Sequence, residues 1–380
     1  MIRHGLIVSA ALLAACSFAR GATLHVFGSP SDDRWHYPFN QFPGTASVGK
    51  TFGTVGSRSP QGNRWFNERD GTLLLAWDTT AQIPSGQGAA SYHVQSVKVI
   101  LTSLGDATWE VDTTADEWYT YDLNADGMVN ADGFPRGDPN DTDGESDDVD
   151  IGRPFELFGA GFDTGAPFDE LTWTETSIFI GWNQDLTPVP RNPFPFVYQD
   201  GTLSKLHVED NVAGFHNEAM GVFEFTPVPW ATGQPIGYIP GATPDPFDVE
   251  FTVNLDLSCG EVRRYFEDQL DKGRIIVAVT SLFETVMQPG DVIPLFYLNT
   301  GVPGANPHPA RLEIVLADSP PGDINGDGVV DLVDVGLFVQ VLLDPAGSDP
   351  QQRMRADLNG DGQADGLDTA PFVQAYLGGC

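Results

Sequence analysis

Apolar and polar residues alternate in short runs between residues 23 and 318, and Gly, Pro, Asn and Asp separate the runs. In residues 247–255 the odd positions are apolar and the even positions are polar. A period of two is typical of a half-buried strand, and many short strands favour an antiparallel β-sandwich or jelly roll of one or two packed units. The same patterns predict strands at residues 72–77, 94–101, 177–182, 221–226, 248–257, 274–281 and 311–317.

One helical pattern interrupts these strands. Val262, Phe266 and Leu270 follow each other at intervals of four, which places them on one face of a helix. Ser258 stands three residues before Glu261, as in a capping box, and Gly273 is placed to end the helix. We expect this helix to pack across one end of the β-sandwich.

The pattern changes after a Pro-rich linker at residues 318–322. Two twelve-residue segments carry oxygen-bearing side chains at positions 1, 3, 5, 9 and 12, with Gly at position 6 to allow a sharp turn. This spacing lets one loop supply the roughly six to eight oxygens that Ca²⁺ requires, so the sequence predicts two calcium sites. The first loop offers Asp323, Asn325, Asp327, Asp331 and Asp334 with the carbonyl of Val329; the second offers Asp357, Asn359, Asp361, Asp365 and Asp368 with the carbonyl of Gln363.

The two loops belong to an internal duplication. They begin 34 residues apart, and each leads into a predicted helix that contains Phe-Val-Gln, at residues 337–343 and 371–377. Because metal-free ligands repel one another, we expect residues 319–380 to be loosely packed or disordered without Ca²⁺.

A third acidic segment lies inside the β region. Within a predicted acidic insertion at residues 112–153, the nine residues from position 122 repeat the first nine loop positions, but Gly133 occupies position 12. The segment is either a third metal site, which cross-links the insertion, or a solvated acidic loop. The candidate ligands are Asp122, Asn124, Asp126, Met128 through its carbonyl, and Asn130.

The charge balance restricts the kinds of molecule that the chain can bind. The chain has 53 acidic residues against 19 Lys and Arg, a net charge of −34. Such a chain repels nucleic-acid phosphates and is compatible with hard cations. Because Cys16 lies in the N-terminal apolar run, we expect the three cysteines not to form a disulfide framework. We expect Cys259 to be a small buried residue and Cys380, on the final Gly-Cys tail, to be a possible anchoring point.

The first 22 residues predict an export signal, in which Arg3 and His4 precede an apolar run that ends near Ala15. Two processing routes remain open: ordinary cleavage after Ala19, or lipidation of Cys16 at a lipobox-like site. No other stretch approaches about 18 apolar residues, so we expect no transmembrane helix in the mature chain.

Catalytic signatures are missing from the sequence. It contains no HExxH, GxSxG, Gly-rich phosphate loop or CxxC pair, so we expect a non-enzymatic protein. Tryptophans of the β region could stack on sugar rings if they were exposed. The alternative is that Trp77 and Trp182, which lie on strand patterns, belong to the core.

Residues from about 321 to 377 resemble a type I dockerin, a module that has Asp at loop position 12. The resemblance implies two bound Ca²⁺ ions and docking onto a cohesin or a comparable surface receptor. The Gly-Cys end resembles a group of bacterial surface proteins in which a dockerin-like module ends in these residues. Cellulosomal dockerins carry Ser or Thr at loop positions 10 and 11 and basic helix residues, whereas this chain has Leu332-Val333 and Gly366-Leu367 and no Lys or Arg in those helices.

The sequence therefore predicts an exported, calcium-binding, non-enzymatic protein. Its β domain at residues 23–318 would be attached through the dockerin-like domain at residues 319–380. The alternative is an extracellular polysaccharide-binding or polysaccharide-degrading protein that carries a dockerin. A loose similarity of the β region to DNRLRE-type jelly rolls, which are often associated with polysaccharides, leaves that alternative open.

Overall fold

The structure is a computed structural model of the chain, and its described residues fall into two compact units. One unit lies within residues 24–316 and the other within residues 317–376. The described residues are 22–37, 46–54, 71–104, 111–115, 153–162, 168–174, 177, 192–199, 202, 204–208, 215–218, 221–225, 227–237, 246–285, 294–298, 308–317, 319–326 and 330–377.

The first unit is built from strands, most of them short, as the frequent turn residues predict. Within the described residues the strands are β1 (Ala22–Phe27), β2 (Asp32–His36), β3 (Val48–Lys50), β4 (Gly53–Thr54), β5 (Thr72–Asp78), β6 (Val94–Ser103), β7 (Val111–Asp112), β8 (Arg153–Gly161), β9 (Phe194–Tyr198), β10 (Lys205–His207), β11 (Phe215–Glu218), β12 (Gly221–Glu224), β13 (Ala231–Ile236), β14 (Phe247–Thr252), β15 (Arg274–Ser281), β16 (Glu284–Thr285), β17 (Leu295–Tyr297) and β18 (Arg311–Ala317).

One hydrogen-bonded path runs through the sheet in the order β1-β18-β6-β14-β13-β8-β15-β5-β2. The pairs of known register along this path are antiparallel, for example β14 with β6 and β15 with β5. Short parallel contacts join β7 to β8 and β16 to β4. The predicted mainly β, antiparallel class is confirmed, and the sheet is curled.

The alternation in residues 247–255 corresponds to a half-buried strand, as predicted. Phe247, Val249 and Phe251 are buried, while the residues between them are more exposed. In β14 the regular strand ends at Thr252, earlier than predicted, but Val253 and Leu255 continue the buried side. Of the predicted strand at 177–182, only Ser177 lies among the described residues.

The central strands β5, β8 and β15 are buried on both faces. One face contributes to a large core that includes Leu73, Leu75 and Val277. The reverse face packs in a second cluster, in which Trp173 is fully buried. Two-sided burial explains why 72–77 is almost continuously apolar and does not alternate.

Helix α1 (Glu261–Lys272) lies where the sequence predicts it, but it begins differently. Gly273 ends the helix with a φ of +83°, as expected. The predicted capping box is wrong, because Gly260 occupies the N-cap position without a side-chain cap. Ser258 has a φ of +49° and its hydroxyl donates to the carbonyl of Tyr198, so it cannot cap the helix.

Cys259 also differs from its prediction. It is only partly buried, has a φ of +59° and is disulfide-bonded. The chain has only two other cysteines, Cys16 and Cys380, and both lie outside the described residues.

A peptide map of the exported protein under non-reducing conditions is expected to show Cys259 in a cross-linked peptide. If that peptide contains Cys380, the C-terminal thiol is not free for anchoring in the same molecule. A reduced and alkylated sample serves as the control. Recovery of alkylated Cys259 without prior reduction would contradict the assignment.

The second unit is helical. It contains α2 (Leu332–Leu343), α3 (Pro350–Ala356), a single 3₁₀ turn at Gly366–Asp368, and α4 (Thr369–Leu377). Its small core includes Phe338 and Phe372, whose rings stack with centroids 4.1 Å apart. These two residues occupy equivalent positions in the duplication, so the two repeats pack on each other through the same side chain.

Candidate metal centre

The second predicted calcium loop, residues 357–368, is fully described. At position 1, the two carboxylate oxygens of Asp357 accept hydrogen bonds from the backbone N–H groups of Gly360 and Gly362, at 2.9 and 2.8 Å. Gly362 stands at position 6 with a φ of +88°, a conformation that suits Gly because it has no Cβ. The sharp turn predicted at position 6 is therefore present.

Positions 3 and 5 form the exposed side of this loop. The Asn359 side-chain oxygen accepts from the N–H of Asp361 at 2.9 Å, and Asp361 in turn accepts from the N–H of Gln363 at 2.9 Å. The Asn359 amide also donates to the second Asp361 oxygen at 3.3 Å. These bonds fold the loop back along its own backbone.

Position 12 is the most buried part of the loop. The side chain of Asp368 is fully buried, and one of its oxygens accepts from the N–H groups of Leu358 and Asn359 at 2.7 and 2.9 Å. The other oxygen accepts from the N–H of Asp365 at 2.9 Å. A single carboxylate thus joins the beginning of the loop to its end.

The first loop repeats this arrangement wherever it is described. Asp334 is fully buried and accepts from the N–H groups of Ile324, Asn325 and Asp331, at 2.7, 3.0 and 2.9 Å. Asp323 accepts from the N–H of Gly326 at 2.6 Å, as Asp357 does from Gly360. The predicted ligands Asp327 and Val329 lie outside the described residues.

Positions 9 and 12 have a second role that the ligand pattern alone did not predict. Asp331 is the N-cap of α2 and forms a reciprocal capping box with Asp334. Asp365 and Asp368 form the same box at the 3₁₀ turn before α4. Both capping boxes could have been predicted from the sequence, because the two aspartates of each box stand three residues apart. Each loop is therefore built into the start of the helix that follows it.

Arg355 distinguishes the two loops. Its guanidinium lies against Gly326 of the first loop and donates to the carbonyl of Ile324 at 3.4 Å. The equivalent glycine of the second loop, Gly360, has open space on that side. The first loop thus has a fixed positive charge beside it, and the second has none there.

The donor set suits a hard cation. The second loop offers carboxylates, the Asn359 carboxamide oxygen and the Gln363 carbonyl, all of them oxygen donors of the kind that Ca²⁺ prefers. A carboxylate has about four acceptor positions, so Asp357, which accepts two N–H groups, can also bind an ion. In the part of the chain that the structure describes, no three His, Cys, Asp or Glu side chains already converge into a metal-holding group.

The remaining predicted site residues lie elsewhere. Asp122, Asn124, Asp126, Met128 and Asn130 of the third segment are outside the described residues, as are Cys16, Cys380 and Trp182. Among the described tryptophans, Trp77, Trp173 and Trp230 are buried in the core. These three therefore provide no exposed surface for stacking on a sugar ring.

Paired oxygen-rich loops, each capping a helix and related by duplication, define an EF-hand-like pair. Residues 321–377 match the family of the type I dockerin domain, so the predicted dockerin-like character of the C-terminal segment is confirmed. The comparison with curated proteins finds no match to the chain, and neither does the comparison with solved structures. None of the described helices combines the length and apolar character needed to cross a membrane.

Proposed function

We propose that the C-terminal module is a Ca²⁺-dependent docking element that attaches an exported, non-enzymatic β protein to a receptor at the cell surface. The observation that carries the proposal is the dockerin match, on a segment whose two loops share one hydrogen-bond pattern. Type I dockerins generally bind calcium, and the module implies a cohesin-type partner. Export is supported by the predicted signal, and attachment at the surface by the dockerin match and the resemblance of the Gly-Cys end.

The charges of the module support a cation requirement. Residues 319–377 contain ten Asp and two Arg, a formal charge of −8 that two Ca²⁺ ions would reduce to −4. Bound Ca²⁺ supplies positive charge that relieves the repulsion between the loop carboxylates. The loop side chains themselves hold the backbone turns and start the helices, so ion binding would stabilise the beginnings of α2 and α4.

A calorimetric titration of the full chain with Ca²⁺ is expected to show at least two sites, with dissociation constants within about 10⁻⁷ to 10⁻³ M. Asp361→Asn should weaken one site about tenfold or more, because it removes a ligand charge from an exposed loop position. Asp344→Asn is the matched control: it removes the same charge from an exposed residue of this module outside both loops. Equal affinities in the two variants would contradict the ligand assignment.

Attachment is tested with the labelled full chain and an envelope preparation from the source organism. We expect retention in Ca²⁺ and release by a calcium chelator, with Asp361→Asn requiring more Ca²⁺ than the unmodified chain. Retention that ignores the chelator would contradict calcium-dependent docking. Hydrolysis of a polysaccharide panel by the labelled full chain, assayed without the envelope preparation, would contradict the non-enzymatic part of the proposal.

A further inference from the structure

Arg355 contacts the first calcium loop at a position that is open in the second. Its guanidinium fills the space that a Cβ on Gly326 would need, and it donates to the carbonyl of Ile324 at 3.4 Å. Gly326 stands at loop position 4, between the predicted ligand positions 3 and 5. At the equivalent Gly360, a Cβ would have no described atom within 4 Å. A positive charge therefore lies against the backbone of the first loop, and the second loop has none at this position.

The duplication explains why only one loop has this contact. Residues 34 apart correspond, so the equivalent of Arg355 in the first repeat is Pro321, whose side chain has neither a charge nor a donor. Arg355 itself lies in the last turn of α3, two residues before Asp357 begins the second loop. An arginine of the second repeat thus contacts the loop of the first repeat, and nothing equivalent is available in return.

Burial differs between the loops in the same sense. At position 1, Asp323 is fully buried, whereas its equivalent Asp357 is partly exposed. At position 2, Ile324 is fully buried and its equivalent Leu358 is partly exposed. A carboxylate that is removed from water needs donors or positive charge nearby. The first loop has such a charge within the chain, while the second loop depends more on solvent and on an added cation.

The ligands themselves do not distinguish the two loops. Both have Asp, Asn, Asp, Asp and Asp at positions 1, 3, 5, 9 and 12. With identical side-chain ligands, the difference in affinity depends on the surroundings. A Ca²⁺ ion that enters the first loop approaches a fixed positive charge that repels it, and that charge already offsets part of the repulsion between the loop carboxylates.

We infer that Arg355 is a built-in counter-ion of the first loop, so that the second loop binds Ca²⁺ more tightly and fills first. This inference rests on the proposed calcium-dependent docking and specifies how the module responds to Ca²⁺. At concentrations between the two dissociation constants, the module holds one ion, in the second loop. The first loop keeps its turns through Arg355 and completes its binding only at higher Ca²⁺.

Calorimetric titration of the full chain with Ca²⁺ tests this order. We expect two steps whose dissociation constants differ about tenfold at low salt, with the ratio falling as salt screens the guanidinium. Asp361→Asn should weaken the tighter step, because that step belongs to the second loop. The salt dependence needs no variant, so it tests the charge effect on the unmodified fold.

Arg355→Gln should strengthen the weaker step about tenfold and leave the tighter step unchanged, because it removes the charge beside the first loop only. Arg355→Lys keeps the charge and should keep the weaker step weak. The matched control is Arg353→Gln, which removes the same charge from the same helix, where the guanidinium donates to the carbonyl of Pro345 outside both loops. Far-ultraviolet circular dichroism at saturating Ca²⁺ verifies that the variants keep the helical content of the unmodified chain.

Two steps of equal affinity, a tighter step that Asp361→Asn leaves unchanged, or equal effects of Arg355→Gln and Arg353→Gln would overturn the inference. In each of these results the module still binds Ca²⁺, so the proposed function stands. If the unmodified chain shows no Ca²⁺ binding, the proposed function itself fails.

Discussion

Asp368→Ala is expected to lower the free energy of unfolding of the helical module by about 3 to 5 kcal/mol. The substitution removes the acceptor of three backbone N–H groups, those of Leu358, Asn359 and Asp365, from a site with no solvent exposure. Each buried donor left without a partner costs about 1 to 3 kcal/mol. A module of this size rarely has more than about 3 to 5 kcal/mol of stability, so the variant should be largely unfolded there.

The measurement is denaturant unfolding of the full chain, followed by far-ultraviolet circular dichroism in chelator and in Ca²⁺. The module should lose its transition while the β unit keeps its own. Asp368→Asn is the graded control: it keeps an oxygen for Leu358 and Asn359 but turns a donor toward the N–H of Asp365, so its effect should be intermediate. A module transition that is unchanged in Asp368→Ala would refute the structural role of position 12.

The repeat offers an internal comparison. Asp334→Ala removes the equivalent acceptor from Ile324, Asn325 and Asp331, so a similar loss is expected. Arg355 lies only beside the first loop, and it would partly offset the charge of the carboxylates there. The two variants therefore compare a loop that has this arginine beside it with a loop that does not.

The sequence was most informative in the module, because a calcium loop would require particular residue types at fixed positions. Oxygen-bearing side chains stand at positions 1, 3, 5, 9 and 12, and the same spacing recurs 34 residues later. Spacing alone did not show that the same carboxylates hold backbone N–H groups. Asp334 and Asp368 have this structural role in addition to their predicted one.

Strand prediction worked where one face is solvated, as in β14, and was weaker where both faces are buried. Strand β8 is buried at every position, so no alternation marks it, and the sequence did not predict it. Its Glu156 and the strand residues Arg34 and His36 are buried polar side chains that periodicity cannot identify. Their positions depend on which distant segments cover the sheet, and that is a property of the tertiary fold.

Backbone conformation explains the error at α1. Ser258 has the spacing of a capping residue, but a cap requires an extended backbone and a side chain directed at the helix end. Ser258 and Cys259 both have positive φ values, a conformation that no residue type in this stretch signals. The disulfide of Cys259 was equally hidden from local spacing.

Residues 168–174 form a segment that covers the reverse face of the sheet, and Arg274 contacts this segment. Residues 168–174 carry Trp173, whose ring centre lies 5.4 Å from the guanidinium carbon of Arg274 and 5.6 Å from that of Arg34. Arg274 also donates to the carbonyl of Trp173 at 2.6 Å and to the Asp32 carboxylate at 2.6 Å. Burial lowers the pKa of Arg274 from its ordinary value, and the nearby Asp32 carboxylate partly offsets this. One side chain on β15 therefore holds both β2 and the covering segment.

Arg274→Ala should lower the free energy of unfolding of the β unit by about 3 to 5 kcal/mol, because it breaks the partly buried ion pair with Asp32 and removes the donor to the Trp173 carbonyl. Arg274→Lys keeps the charge but loses the fork that serves Asp32 and Trp173 together, so its loss should be smaller. The matched control is Arg311→Ala, which breaks an ion pair with Asp248 on a more exposed surface and should cost about 0 to 1 kcal/mol. Denaturant unfolding followed by tryptophan fluorescence compares the three variants. If Arg274→Ala were no more destabilising than Arg311→Ala, the covering segment would not depend on this arginine. The apolar contacts of Trp173, together with the hydrogen bonds from Arg34 to the carbonyls of Thr174 and Ser177, would then have to hold it against the sheet.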